Sequence, residues 1–319
     1  MPSCPVRIPP ELHARLQLSV WNGLDESERL EIVSQLSECI SANGRLLEPI
    51  GFREFGPDDD RPQIVFQFKD CTFDIVFSLV LGDSFMPGYD ERLLQRLLAL
   101  IKRYEPHMAD DFDPAAATAW SSPQPCDLRR KPAIRIDPFL MATKLIAFGK
   151  WDEIEPLLWR HAWELPTSNE FEWALRGGVD SLFYWGNKLP FFMTCFWERS
   201  RYDFDALFAW NEKETAWVTS FDGIMGGEFR PSSLNSWPWC NRLGLQYMIA
   251  SSTWCAPTGD MNDAFPLVSR GGARGGYPWQ GCGEWRWLLS AFERRISLTD
   301  NYANRAWIRP IIRLLPADG

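Results

Sequence analysis

Tryptophan is divided unevenly along this chain: residues 1–150 hold two, Trp21 and Trp120, while residues 151–319 hold fifteen. Each ring carries roughly 150–250 Å² of surface that must be buried against other large groups or offered to a partner. The C-terminal half is therefore constrained to pack through rings and tight turns. Its segments LFYWGNKLP, FDGIMGGEF, SLNSWPWCN and RGGARGGYPWQGCG set aromatic residues between Gly and Pro. One helix stands out, over 167–176, capped by Thr167 or Ser168 and stopped by Gly177-Gly178.

The N-terminal half is patterned differently. Pro9-Pro10 precedes a helix reaching Leu18. Asp25, with Glu28 three residues on, has the form of a capping box. Leu30, Ile32, Val33, Leu36 and Ile40 follow at helical spacing until Asn43-Gly44 ends the helix. Strands are predicted over 63–68 and 72–81 as a hairpin, with a third over 46–55. An amphipathic helix over 89–104 puts Leu93, Leu94, Leu97, Leu98 and Ile101 on one face. A core explains these apolar residues, and no chemistry is legible among them. Residues 109–132, ADDFDPAAATAWSSPQPCDLRRKP, lack periodicity and read as a linker. The organisation expected is α+β throughout: a small α+β domain over 1–108, the linker 109–132, and a domain rich in irregular loops over 133–319.

Charge and cysteine usage narrow the function. Thirty-three basic against 42 acidic residues give a net charge of −9, which argues against a nucleic-acid partner. The pairs Arg129–Arg130 and Arg294–Arg295 read as solvated faces. No run approaches the roughly 20 apolar residues of a membrane helix, and MPSCPVRIPPELHARL lacks the apolar core of a signal peptide. A cytoplasmic protein without a membrane partner is expected. No two of the eight cysteines lie closer than 15 residues, so no CxxC motif exists, and the three histidines are isolated. No local metal site is expected.

Six blocks carry a resemblance. Ile134–Met141 is similar to an opening strand and 143–151 to the helix after it. Leu165-Pro-Thr-Ser-Asn-Glu-Phe-Glu-Trp-Ala-Leu-Arg-Gly-Gly178 resembles a leucine-proline-threonine block closed by arginine-glycine-glycine, and Phe183–Asn187 the tryptophan-glycine turn beyond it. Asn241–Met248, with Trp254-Cys255, resembles an asparagine-to-methionine block ending in tryptophan. Ser269–Ala273 and Arg309–Leu314 resemble two later arginine-containing turns. In this order, over about 134–315, they resemble the formylglycine-generating enzyme (sulfatase-modifying factor) family. The resemblance implies a C-type-lectin-like fold. Within it Arg176, Arg270 and Arg313 are expected as internal clamps, each donating to several loop carbonyls.

Catalytic members of that family bind copper through two cysteines after the arginine-glycine-glycine turn. Here those positions fall on Gly276 and Gly281, with Cys282 one residue beyond. The family's calcium site is also altered: Ala250-Ser-Ser-Thr253 stands where it carries asparagine and glutamate, and hydroxyls are poorer ligands than carboxylates for a hard cation. Two functions follow from the resemblance. The first is a catalytically degenerate binding module with no cofactor. It would recognise a protein through Trp237, Trp239, Tyr277, Trp279, Trp285 and Trp287 on the former active-site loops. The alternative is a copper oxidase with a rearranged site around Cys282 and Cys255.

Overall fold

The computed structural model describes residues 5–55, 63–104, 109–119, 122–184, 186–187, 240–246, 253–256, 266–271, 289–297 and 306–317. From the N-terminus its elements run β1 (Val6–Ile8), α1 (Pro10–Arg15), α2 (Leu18–Trp21), α3 (Glu26–Ala42), β2 (Leu47–Phe55), β3 (Gln63–Asp70), β4 (Ile75–Val80) and β5 (Asp83–Phe85). Then come α4 (Glu91–Tyr104), β6 (Ala117–Ala119), β7 (Ser122–Cys126), β8 (Ile134–Ile136), β9 (Phe139–Ala142), β10 (Ala147–Gly149), α5 (Trp151–His161) and α6 (Ser168–Arg176). The last are β11 (Thr253–Cys255), β12 (Leu267–Arg270), β13 (Glu293–Ile296), β14 (Ala306–Ile308) and β15 (Ile311–Pro316). The chain is α+β. Among the described residues no helix is long and apolar enough to cross a membrane.

Local chemistry sets the helix ends. The Asp25 carboxylate accepts from Glu28 N at 2.9 Å and the Glu28 carboxylate from Asp25 N at 2.8 Å, the reciprocal cap expected for α3. Ile32, Val33, Leu36 and Ile40 form its buried face. Two segments were expected otherwise. The Ile134–Met141 strand is two strands, because Pro138 has no N–H to extend the first ladder. β8 pairs with β5, and β9 joins a different sheet. Nor is 143–151 a helix: Ala147–Gly149 pairs with β14, and helix begins only at Trp151. It starts there because the Glu153 carboxylate caps Lys150 N at 2.9 Å.

Strand pairing overrides the expected boundary. A six-stranded sheet runs in the order β1-β15-β9-β4-β3-β2, with β1 parallel to β15 and the other neighbours antiparallel. Four of its strands come from residues 1–108 and two from 133–319, so the two expected bodies share one continuous sheet. The physical reason lies in β9, Phe-Leu-Met-Ala, which is buried throughout and uses both of its edges. Without β4 on one side its backbone would be left unpaired in the core. The expected linker is likewise packed in part, with Ala117, Cys126 and Leu128 buried. Polar composition had hidden those anchors.

A second sheet, β10-β14-β11-β12-β13, lies wholly within residues 147–308. Successive side chains in a strand face opposite ways, and this corrects the reading of Arg294–Arg295. Arg294 is buried, while Arg295 points outward beside Glu293. Arg130 is similarly engaged with Asp180 at 2.5 Å instead of standing free in solvent.

Candidate functional site

Three described residues from separate parts of the C-terminal half, Asn241, Arg270 and Arg313, meet at α6. Thr167 caps this helix, its hydroxyl accepting from Glu170 N at 3.2 Å while Glu170 accepts from Thr167 N at 2.7 Å. Gly177 closes it at a φ of 60°, in the left-handed region that glycine favours. A side chain there would also come within 2.9 Å of the Arg242 Cβ. Every residue from Phe171 to Arg176 is buried, including Glu172 and Arg176. Burying charge is costly unless each group finds partners, so the surroundings of α6 must supply them.

They do so through three of its carboxylates and guanidinium groups. Arg176 Nη2 donates to Glu172 Oε1 at 2.6 Å and to the Gly88 carbonyl at 2.8 Å, and Nη1 donates to Asp180 at 2.7 Å. Its guanidinium lies 5.0 Å from the centre of the Tyr89 ring. Gly88 N donates back to Glu172 at 2.9 Å. From the far side, Arg270 of β12 reaches Glu172 Oε2 at 3.2 Å and Glu293 at 3.3 Å, and donates to Ser168 Oγ at 2.6 Å and the Ser290 carbonyl at 3.0 Å. Ser168 passes its own proton toward Glu293 at 2.6 Å. Tyr89 closes the group, donating to the Leu182 carbonyl at 2.6 Å and accepting from Ala291 N at 3.0 Å. Burial pushes its phenol up to about 12, so it remains a donor at neutral pH.

Arg313 clamps the start of α6, donating to Glu164 at 2.7 Å, to both oxygens of Glu170 and to the Leu165 carbonyl. Each of the three expected clamps thus takes one main-chain carbonyl here, and its stronger partners are carboxylates. Two residues that do bind several main-chain groups went unnoticed in the sequence. Arg309 donates to the carbonyls of Ala142, Thr143 and Gln246 at 2.6–2.8 Å, and burial pulls its guanidinium down to about 9. Asn241 donates to Ala174 and Leu175 at the end of α6 and accepts from Leu243 N and Leu245 N. The Glu172–Arg176 spacing of four was a readable signal. The contacts of Arg309 and Asn241 join elements far apart in sequence and had none.

Trp237, Trp239, Tyr277, Trp279, Trp285 and Trp287, together with Gly276, Gly281 and Cys282, lie outside the described residues. Cys255 is described and buried in β11, and Cys240 is buried at the Asn241 turn. Neither is in a disulfide. Burial pushes the Cys240 thiol up to about 12 and raises Cys255 as well. Among the described residues no group of three or more His, Cys, Asp or Glu side chains could hold a metal ion. Of the altered calcium segment only Thr253 is described. It is buried, and its backbone pairs with Arg270.

Chemically, the described cluster joins guanidinium, carboxylate, hydroxyl and carbonyl groups to one another. Such an arrangement ties α6 to β12, to Gly88 and Tyr89, and to the Asn241 turn. No family model, curated protein or solved structure matches the chain.

Proposed function

We propose that this chain is a catalytically degenerate relative of the formylglycine-generating enzymes, with a C-type-lectin-like C-terminal part, acting as a protein-binding module. One observation carries the reading: four of the resembling blocks bind one another through side chains. Arg270 of the 269–273 block reaches Ser168 and Glu172 of the 165–178 block, Asn241 of the 241–248 block holds its other end, and Arg313 of the 309–314 block clamps Glu170. Blocks that recur together for a structural reason would be expected to meet in this way. Rigid ends for the intervening loops suit recognition, since loops on a fixed frame bind without a large ordering cost. The aromatic loops 235–240 and 274–287 would form the binding face, with Trp237, Trp239, Tyr277, Trp279, Trp285 and Trp287 as anchors. The glycines at 276 and 281 leave that face without the paired thiols of a copper oxidase.

Oxygen uptake tests the reading. The purified chain loaded with Cu(I) and given a thiol reductant and a cysteine-containing peptide should consume oxygen no faster than copper alone. Uptake that depends on the protein and is abolished by Cys282→Ser would replace the binding module with the oxidase. A cross-linked partner lost on Trp279→Ala and Trp285→Ala, in proteins that still fold, would support the module.

A further inference from the structure

Among the described residues His13, on α1, is the one buried histidine, at 4% exposure. Its Nε2 lies 3.2 Å from Asp137 Oδ1 without the alignment of a hydrogen bond. Asp137 stands at the corner where the chain leaves β8 for β9, and its carboxylate is half-exposed. The exposed Arg135 addresses the same oxygen, with Nε at 3.5 Å. These two are the charged groups that act on the imidazole. Glu11 of its own helix is exposed. On the elements packed against α1, Glu31 of α3 is turned to Arg15 and Arg313 of β15 to Glu164 and Glu170, while α2 carries no charge.

A proton on this ring would be poorly received. A cation at that depth has left water, and its counter-charge is half in water and already shared with a guanidinium, so the pairing offsets little of the cost. Burial accordingly pulls the imidazole below its ordinary value, with Asp137 opposing the shift and Arg135 assisting it. Once α1 lifts from the corner, the ring meets solvent and takes up a proton near its usual value of about 6.5. In mild acid the undocked state thus binds a proton that the docked state does not. Docking is strongest above about pH 6.5 and weakens as pH falls through that value.

What α1 carries with it is an edge of the six-stranded sheet. β1 runs parallel to β15 over three residue pairs, and Val6, Ile8, Leu12 and Leu16 are buried together. The unit ends where Gly82 N donates to the Leu16 carbonyl at 3.0 Å and the Gly82 carbonyl accepts from Leu18 N at 2.7 Å. Between β1 and that fixed point His13 is the one side chain that titrates near neutrality. We infer that His13 is a pH-sensitive latch on the β1–α1 unit, whose protonation in mild acid favours release of residues 6–16 and uncovers the outer edge of β15. An uncovered strand edge is able to pair with another extended segment. One proton changes the open population by at most about tenfold per pH unit, so the response is graded. The latch is separate from the aromatic loops and stands whether or not they bind a partner.

Amide hydrogen exchange on the full chain at about pH 7.5 and 5.5, corrected for intrinsic rates, tests it. Protection over residues 6–16 should fall several-fold, and by at most about tenfold, at the lower value. Residues 171–176 of α6 should keep theirs. His13→Gln should remove the fall. Arg135→Gln, at an exposed side chain, should lessen it, because a proton on His13 then has Asp137 to itself; this variant reads the same latch should His13→Gln not fold. Equal protection of 6–16 at both values in the wild type overturns the proposal. So does a fall that is undiminished in His13→Gln or in Arg135→Gln, or one that α6 shares in full.

Discussion

Arg270 on β12 and Glu172 on α6 form an ion pair of 3.2 Å between side chains that solvent scarcely reaches, at 0% and 1% exposure. They are 98 residues apart, and each has one further counter-charge, Glu172 in Arg176 and Arg270 in Glu293. Removing one partner leaves a buried network of charges and hydrogen bonds short of a member, which costs far more than the intact pair contributes. Arg270→Met should lower unfolding free energy by about 3–5 kcal/mol. Paired with Glu172→Gln in a double-mutant cycle, it should show coupling of about 1–3 kcal/mol. Chemical denaturation of the four proteins measures both quantities, and additive losses would show that the two residues do not share a network.

Asn241 should be as intolerant. Asn241→Ala frees two carbonyls at the end of α6 and two amides of its own turn, for a loss of about 3–4 kcal/mol. Asn241→Asp keeps both acceptors yet turns negative charge toward the Ala174 and Leu175 carbonyls. It should therefore melt no higher than the alanine variant. Full stability in the aspartate protein would mean that the donated bonds contribute little.

Gly244 has a φ of 71°, and a Cβ there would lie 2.5 Å from the Phe55 ring. Gly244→Ala combines backbone strain with overpacking and should cost about 2–4 kcal/mol. Adding Phe55→Leu should recover part of the loss, because it relieves the clash and not the strain. Thermal melting of the single and double variants separates the two contributions.

Acid should act through Glu293. Burial by itself would raise its carboxyl, but the Arg270 guanidinium and the Ser168 hydroxyl outweigh burial and hold it below the usual carboxylate range. A group with a depressed folded pKa contributes stability above its unfolded value, near 4.3, and that contribution is lost as pH falls through the folded value. Wild type should thus weaken below about pH 4.5. Glu293→Gln should be less stable at about pH 7 and show a shallower acid decline. Parallel slopes for the two proteins would remove Glu293 from the linkage.

For the proposed binding face, Trp279→Ala decides between interface and core. An interface anchor should lose about 2 kcal/mol of partner affinity with the melting temperature nearly kept. A core ring would instead cost roughly 3–5 kcal/mol of stability. Calorimetry and titration on the same protein distinguish them. A large stability loss with unchanged affinity would take Trp279 out of the interface.

Local order was legible in the residues themselves. The Asp25–Glu28 box, the buried stripe of α3 apart from exposed Leu30, and the glycine stop at Gly177 each depend on groups within a few positions of one another, so spacing alone determines them; the choice of Thr167 over Ser168 as the cap of α6 came from the structure. The clamp candidates Arg176, Arg270 and Arg313 could likewise be picked out by position. What tertiary structure decided was partnership. Tryptophan content marks how a segment packs and says nothing of which strand it pairs with, so the β4–β9 ladder that joins the two halves was invisible. Arg309 and Asn241 escaped notice because their hydrogen bonds cross 63–167 residues. Periodicity reports which side of an element is apolar. The groups that meet a buried charge are chosen only when the chain closes on itself, because a charge leaves water only where its partners already stand.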